Sequence, residues 1–136
     1  MLALSRVQVT QLALIRELIE ITGGAKILLE NAGNIQDILP GASPKLAAIL
    51  ADKSLIELAE REMEFIEKNG IRLICIGDDA YPYRLAECTD APLVLHSMGN
   101  ADLNAKHIVS IVGTRHASEY GKELCTNFVA DLARFV

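Results

Sequence analysis

The residues of this chain best equipped for chemistry are Gly113, Thr114 and Arg115, with Ser118 and Gly121 close behind. They follow an apolar, β-branched run, Val109-Ser110-Ile111-Val112, and precede a helical pattern that opens at Glu119. Glycine lets the backbone turn tightly and approach an anion, and Gly121 allows close packing of the helix. The hydroxyls of Thr114 and Ser118 can donate hydrogen bonds, and arginine offers a permanently charged fork matched to phosphate oxygens. The first amides of the following helix lack intrahelical acceptors, and the macrodipole favours negative charge there. In an open α/β sheet, the carboxyl end of a strand is where such ligands bind. The spacing therefore predicts an anion site with phosphate as its natural ligand. His116 and Lys122 are accessory candidates, and Tyr120 offers a ring on which a base can stack. The same residues also make an ordinary strand-to-helix turn with a solvated arginine. The pattern is neither GxGxxG nor GxxxxGK[ST], so chemistry alone leaves both readings open.

Other reactive side chains form no comparable group. His96, His107 and His116 lack ligand spacing with any cysteine or carboxylate, so no metal is expected. Cys75, Cys88 and Cys125 are far apart and contain no CxxC pair, which argues against a disulfide framework. Cys75 and Cys125 fall in apolar stretches and read as core. Asp78-Asp79 reads as a solvated capping pair rather than a catalytic one, and the charges from Glu57 to Glu67 as the wet face of a helix. No catalytic residue and no cofactor are expected.

The elements that must position the turn follow from hydrophobic periodicity. Residues 2–69 carry only helical signals. Thr10 can cap a helix with Leu14, Ile15, Leu18 and Ile19 on one face, ended by Gly23-Gly24. A short helix from Ala25 to Asn31 follows, then a brief segment from Ile35 to Leu39 stopped by Pro40-Gly41. Ser43 with Pro44 opens a helix through Leu50. Asp52 or Ser54 starts a charged helix that Asn69-Gly70 terminates. After Gly70 the period changes to that of strands: Ile71–Ile76, Pro92–Ser97 and Lys106–Val112. Tyr81-Pro82 begins a short irregular or helical piece between the first two. Ser118 caps a last helix, Glu119 to Val136, with Leu124, Phe128, Val129, Leu132 and Ala133 along one stripe. That helix needs a further strand to cover, so the pattern reads as the front part of a longer α/β protein.

Bulk properties bound the answer. The chain has 136 residues, 51% of them hydrophobic, enough for one ordinary domain or two small ones and too many for wholesale disorder. Net charge is −5, which excludes a dispersed basic coat for nucleic acid. The balance is uneven, however. Residues 1–70 hold seven Lys/Arg against ten Asp/Glu and residues 71–105 two against five, whereas residues 106–136 hold four against three. No secretory leader pattern and no membrane-length apolar run is present, so a reduced, soluble, cytoplasmic protein without a membrane partner is expected.

Taken in order, several short pieces resemble the DprA/Smf family of DNA-processing proteins. They are Gly77-Asp78, Tyr81-Pro82 with Leu85, Asp90, Ala91-Pro92-Leu93-Val94-Leu95, Gly99-Asn100, and Ile111-Val112-Gly113-Thr114-Arg115 with Ala117-Ser118 and Tyr120-Gly121. The resemblance is strong over residues 71–122 and loose over the helical part. It implies an α/β protein: a small all-helical SAM-like or helix-hairpin-helix-like domain at 1–70, then the first part of a Rossmann-like sheet domain at 71–136, truncated. It further implies sequence-independent binding of single-stranded DNA, loading of the RecA recombinase in natural transformation, a homodimer at full length, and no catalytic reaction. By position, Gly113, Thr114, Arg115, Ser118 and Gly121 would form part of the DNA-phosphate pocket. The family's later SGxAxGID-type segment is absent. A DNA-binding GxG hairpin is also missing: Gln8-Val9-Thr10 and Pro40-Gly41-Ala42-Ser43 lack the needed glycines, so the first domain reads as a packing or protein-interaction module. The alternative function is a Rossmann-like nucleotide hydrolase of phosphoribohydrolase type, using the same turn for a nucleotide phosphate, with Glu119 and Glu123 as the nearby carboxylates.

Overall fold

The structure, a computed structural model, describes residues 1–7 and 12–134. The expected Thr10 cap and the Gln8-Val9-Thr10 hairpin lie outside the described residues. Contacts divide the chain into two compact units, Met1–Asn104 and Ala105–Val136.

In the first unit the helices are α1 (Leu2–Ser5), α2 (Leu12–Thr22), α3 (Ala25–Glu30), α4 (Ile35–Ile38), α5 (Pro44–Leu50), α6 (Ser54–Lys68) and α7 (Tyr83–Ala86). Their ends are set locally. The Ser43 hydroxyl accepts from the Leu46 amide at 3.2 Å, with Pro44 in the first turn of α5. Asp52 Oδ1 accepts from the Ser54 amide at 2.9 Å before α6, and this bond holds the Asp52 carboxyl below its usual range. Gly23 at φ 80° and Gly70 at φ 60° take the left-handed conformation that lets the chain leave α2 and α6. The sequence pattern did not reveal α1, which buries Leu2, Ala3 and Leu4.

The strands β1 (Arg72–Cys75) and β2 (Val94–Ser97) pair antiparallel, Arg72 opposite Ser97 and Cys75 opposite Val94. The fold is therefore mixed helix and sheet, α/β in the broad sense, with one two-stranded antiparallel sheet among the described residues. Leu93 and Val94 enter the same buried cluster as Leu4, Ile15, Leu18, Leu28, Ile35 and Leu46. Hairpin and helices thus share one core. Polar ties reinforce it. Arg16 of α2 donates to the carbonyls of Ala86 (3.2 Å) and Cys88 (2.9 Å), gathering the end of α7. Glu62 of α6 accepts from Arg6 at 2.6 Å and lies 3.2 Å from His96 Nε2 on β2.

The second unit contains α8 (Glu119–Leu132). Three expectations are corrected here. Residues 106–112 form no strand, because a strand is held by a hydrogen-bonded neighbour and the only ladder among the described residues joins β1 to β2. Their side chains are accordingly exposed, Ile108 at 53% and Val112 at 92%. Cys125 is exposed rather than in a core, because the apolar stripe of α8 has no covering layer: Leu124, Phe128 and Val129 are each about half exposed. The helix ends at Leu132, short of the expected Val136, and its last two expected residues lie outside the described set.

Candidate nucleic-acid interface

The site is built from a loop and the first turn of a helix. Ser118, at φ −67° and ψ 159°, is the N-cap of α8, and its Oγ accepts from the Gly121 amide at 3.2 Å. This is the cap-to-third-residue bond that satisfies one of the orphan donors of a helix start. The amides of Glu119 and Tyr120, ahead of Gly121, have no acceptor within the helix and are available to an anion. Upstream, the Thr114 hydroxyl donates to the His116 carbonyl at 3.0 Å, closing a tight loop from 114 to 116. Arg115 sits at the apex of that loop. It is exposed, and none of the ion pairs or side-chain hydrogen bonds among the described residues involves it.

The accessory residues divide. Tyr120 is 74% exposed on the first turn, so its ring is open to a flat partner. His116 is exposed and contributes its carbonyl to the loop. The Lys122 ammonium is engaged with Glu119 at 2.6 Å. Glu119 complements the positive end of the helix dipole and would repel an arriving phosphate; Lys122 offsets that repulsion. Gly113 does not take a positive φ, and an added Cβ there would meet nothing within 4 Å. What glycine supplies at 113 is open backbone rather than a forced turn. A Cβ at Gly121 would rest 3.4 Å from Ser118 Oγ, an ordinary contact.

An open groove of about 1190 Å³ is lined by Ile111 and by Leu124, Phe128 and Val129 of α8, and Arg115, His116 and Tyr120 are not among its lining residues. The structure brings Gly113, Thr114, Ser118, Gly121 and Lys122 to one groove. Among the described residues no cluster of His, Cys, Asp and Glu could hold a metal. Among the described residues no helix is long and apolar enough to cross a membrane.

Sequence reasoning did not single out two residues that shape the first unit. Asn104 donates to the carbonyls of Asp79 (3.2 Å) and Tyr81 (3.0 Å) and accepts from the Tyr83 amide (2.9 Å), so one side chain binds the loop ahead of α7. Arg16 does the same for the end of that helix. Their partners are 21 to 25 and 70 to 72 residues away, beyond any local signal. Tyr81 is buried and donates to the Pro92 carbonyl at 2.6 Å. Burial raises its hydroxyl pKa, and Arg16 opposes the rise. Burial, helped by Asp78, likewise raises the Cys75 thiol.

Comparison with known proteins fits this layout. Residues 72–135 match the family described as DNA recombination-mediator protein A, a span that holds both strands, the loop and the whole of α8. Over this stretch the chain belongs to the DprA family. A DNA processing protein DprA of Bacillus subtilis (strain 168) is 34% identical over 92 residues, covering 67% of this chain and 27% of that protein. DprA relatives from two strains of Mycobacterium tuberculosis are 33% identical over 91 residues, 57% of this chain and 23% of theirs. The chain thus spans about a quarter of the length of the curated relatives it matches. No solved structure matches. The DprA family is one of DNA recombination mediators, and the loop from Gly113 to Ser118 lies inside the matched residues.

Proposed function

We propose that this protein binds single-stranded DNA without sequence preference and loads the RecA recombinase onto it during natural transformation, in the cytoplasm and as a homodimer at full length. In this reading residues 1–70 are a helical SAM-like domain and residues 71–136 begin a Rossmann-like domain that binds the DNA. Gly113, Arg115, Ser118 and Gly121 line the phosphate path with Thr114, while Tyr120 stacks on a base and His116 and Lys122 flank it. The observation that carries the reading is Arg115: an exposed cation without a partner among the described residues, beside the free amides that open α8, inside the residues matched to the family. Phosphate contacts supply affinity without reading bases, which suits a mediator that must accept any strand. No catalytic step is proposed. Glu119, the first-turn carboxylate that a hydrolase would use, is tied to Lys122.

The test is a titration with a single-stranded oligonucleotide at several salt concentrations, on the wild type and on Arg115→Ala. Binding that falls steeply with salt, and an Arg115→Ala curve of shallower slope, support the reading. A flat salt response, or no change on Arg115→Ala, sinks it.

A further inference from the structure

We infer that Thr114 is a positioning residue of the phosphate loop rather than one of its ligands, an assignment that rests on the DNA-binding reading above. A hydroxyl has one hydrogen to donate, and a phosphate oxygen only accepts. The Thr114 hydrogen goes to the His116 carbonyl at 3.0 Å. What remains on that oxygen is lone pairs, which repel a phosphate. Ser118 is the opposite case. Its Oγ uses a lone pair to accept from the Gly121 amide at 3.2 Å, and its own hydrogen is left to donate. Two hydroxyls four residues apart therefore play different parts. Ser118 both caps α8 and faces the anion with a donor. Thr114 folds the chain back so that Arg115 stands at the apex of a closed loop.

The bond matters because the loop has little else to fix it. An added Cβ at Gly113 would touch nothing, residues 113–118 are exposed throughout, and Thr114–His116 is the hydrogen bond that spans the apex among the described residues. A guanidinium on an unrestrained loop would lose more freedom on meeting a phosphate than one on a closed loop. Thr114 thus acts on DNA through Arg115.

The experiment uses the 136-residue chain with Thr114→Val, which removes the donor at nearly constant shape, and Thr114→Ser, which keeps it. The first readout needs no ligand: backbone order parameters for residues 114–118 by NMR relaxation. Thr114→Val is expected to lower them and Thr114→Ser to retain them. The second readout is binding of a short oligo-deoxythymidine, expected to weaken roughly 2- to 10-fold in Thr114→Val, the equivalent of one net hydrogen bond, and to recover in Thr114→Ser. Its salt slope should match the wild type, since no phosphate contact is removed. Unchanged loop order in Thr114→Val overturns the positioning role, as does weakened binding that Thr114→Ser fails to restore. If Arg115→Ala leaves oligonucleotide binding unchanged, or no oligonucleotide binds, the DNA reading fails by itself. The order parameters still decide what Thr114 does.

Discussion

Truncating Leu93 tests whether the hairpin and the N-terminal helices form one cooperative structure. Leu93 sits immediately before β2 and is 0% exposed, in the same cluster as Ile15 and Leu18 of α2 and Leu46 of α5. Leu93→Ala removes three carbon atoms from that cluster. The transfer term is about 0.8 kcal/mol per methylene-sized group, roughly 2.4 kcal/mol in all. The cavity left behind brings the expected loss to about 2–5 kcal/mol. On a unit of this size that corresponds to a fall in Tm of roughly 10–20 °C. Leu95→Ala is the control. Leu95 lies on the same strand, opposite Ile74, but is only half-buried and outside the cluster, so it should cost clearly less. Urea unfolding followed by far-ultraviolet circular dichroism gives the two losses, and native-state hydrogen exchange locates them. In Leu93→Ala the amides of α2 and α5 should lose protection together with those of β1 and β2. If the helices keep wild-type protection while the hairpin alone opens, the shared core is refuted.

Arg115→Ala should weaken single-stranded DNA binding by about 1.5–3 kcal/mol, the range of a charge-assisted hydrogen bond, and reduce the salt slope by about one phosphate contact. Cys75 and Tyr81 predict an alkaline limit. Both folded pKa values are raised, so each group contributes stability that is fully present below its unfolded pKa and lost as pH rises through the folded one. Stability measured by urea unfolding should fall above about pH 9, and Cys75→Ala and Tyr81→Phe should each flatten that fall. In alkylation followed by mass spectrometry, exposed Cys88 and Cys125 should label before Cys75, and equal rates would contradict the assigned burial. Ser43→Ala should cost about 1 kcal/mol by removing the cap of α5, whereas Ser43→Asp should cost little.

Local punctuation made much of the helical part legible. Ser43-Pro44 and Asn69-Gly70 mark real helix ends because the signal and the bond it makes lie within a few residues of each other. The same holds for the Ser118 cap at the candidate site, whose bond to the Gly121 amide spans three residues, whereas the Thr114–His116 bond was not foreseen. What the sequence hides is long-range. That β1 pairs antiparallel with β2, that Arg16 reaches two carbonyls 70 and 72 residues on, and that Glu62 joins Arg6 to His96 leave no trace in periodicity. Residues 106–112 depart from the strand that their pattern predicts. An apolar β-branched run carries strand propensity, but propensity reports fit to a pleated surface, and without a paired neighbour the run forms no strand and stays exposed.

Charge and position together support placing the proposed DNA contact at the start of α8 rather than on the helices of the first unit. Residues 1–105 carry nine Lys/Arg against fifteen Asp/Glu, and residues 106–136 four against three. A polyanion gains nothing from the first set, and Arg16 and Arg6, two of its nine cations, are already bound to carbonyls or to Glu62. The second set is barely positive, so bulk attraction cannot hold DNA there either. In the proposed reading affinity comes from direct contacts, for which the start of α8 offers backbone amides. In that setting Arg115 matters more than it would on a basic surface, where neighbouring cations could take over its phosphate. Lys122 could do so only by releasing Glu119, which would leave a bare carboxylate beside the DNA. In the proposed reading the site thus depends on Arg115, carried on the loop that the Thr114–His116 bond closes.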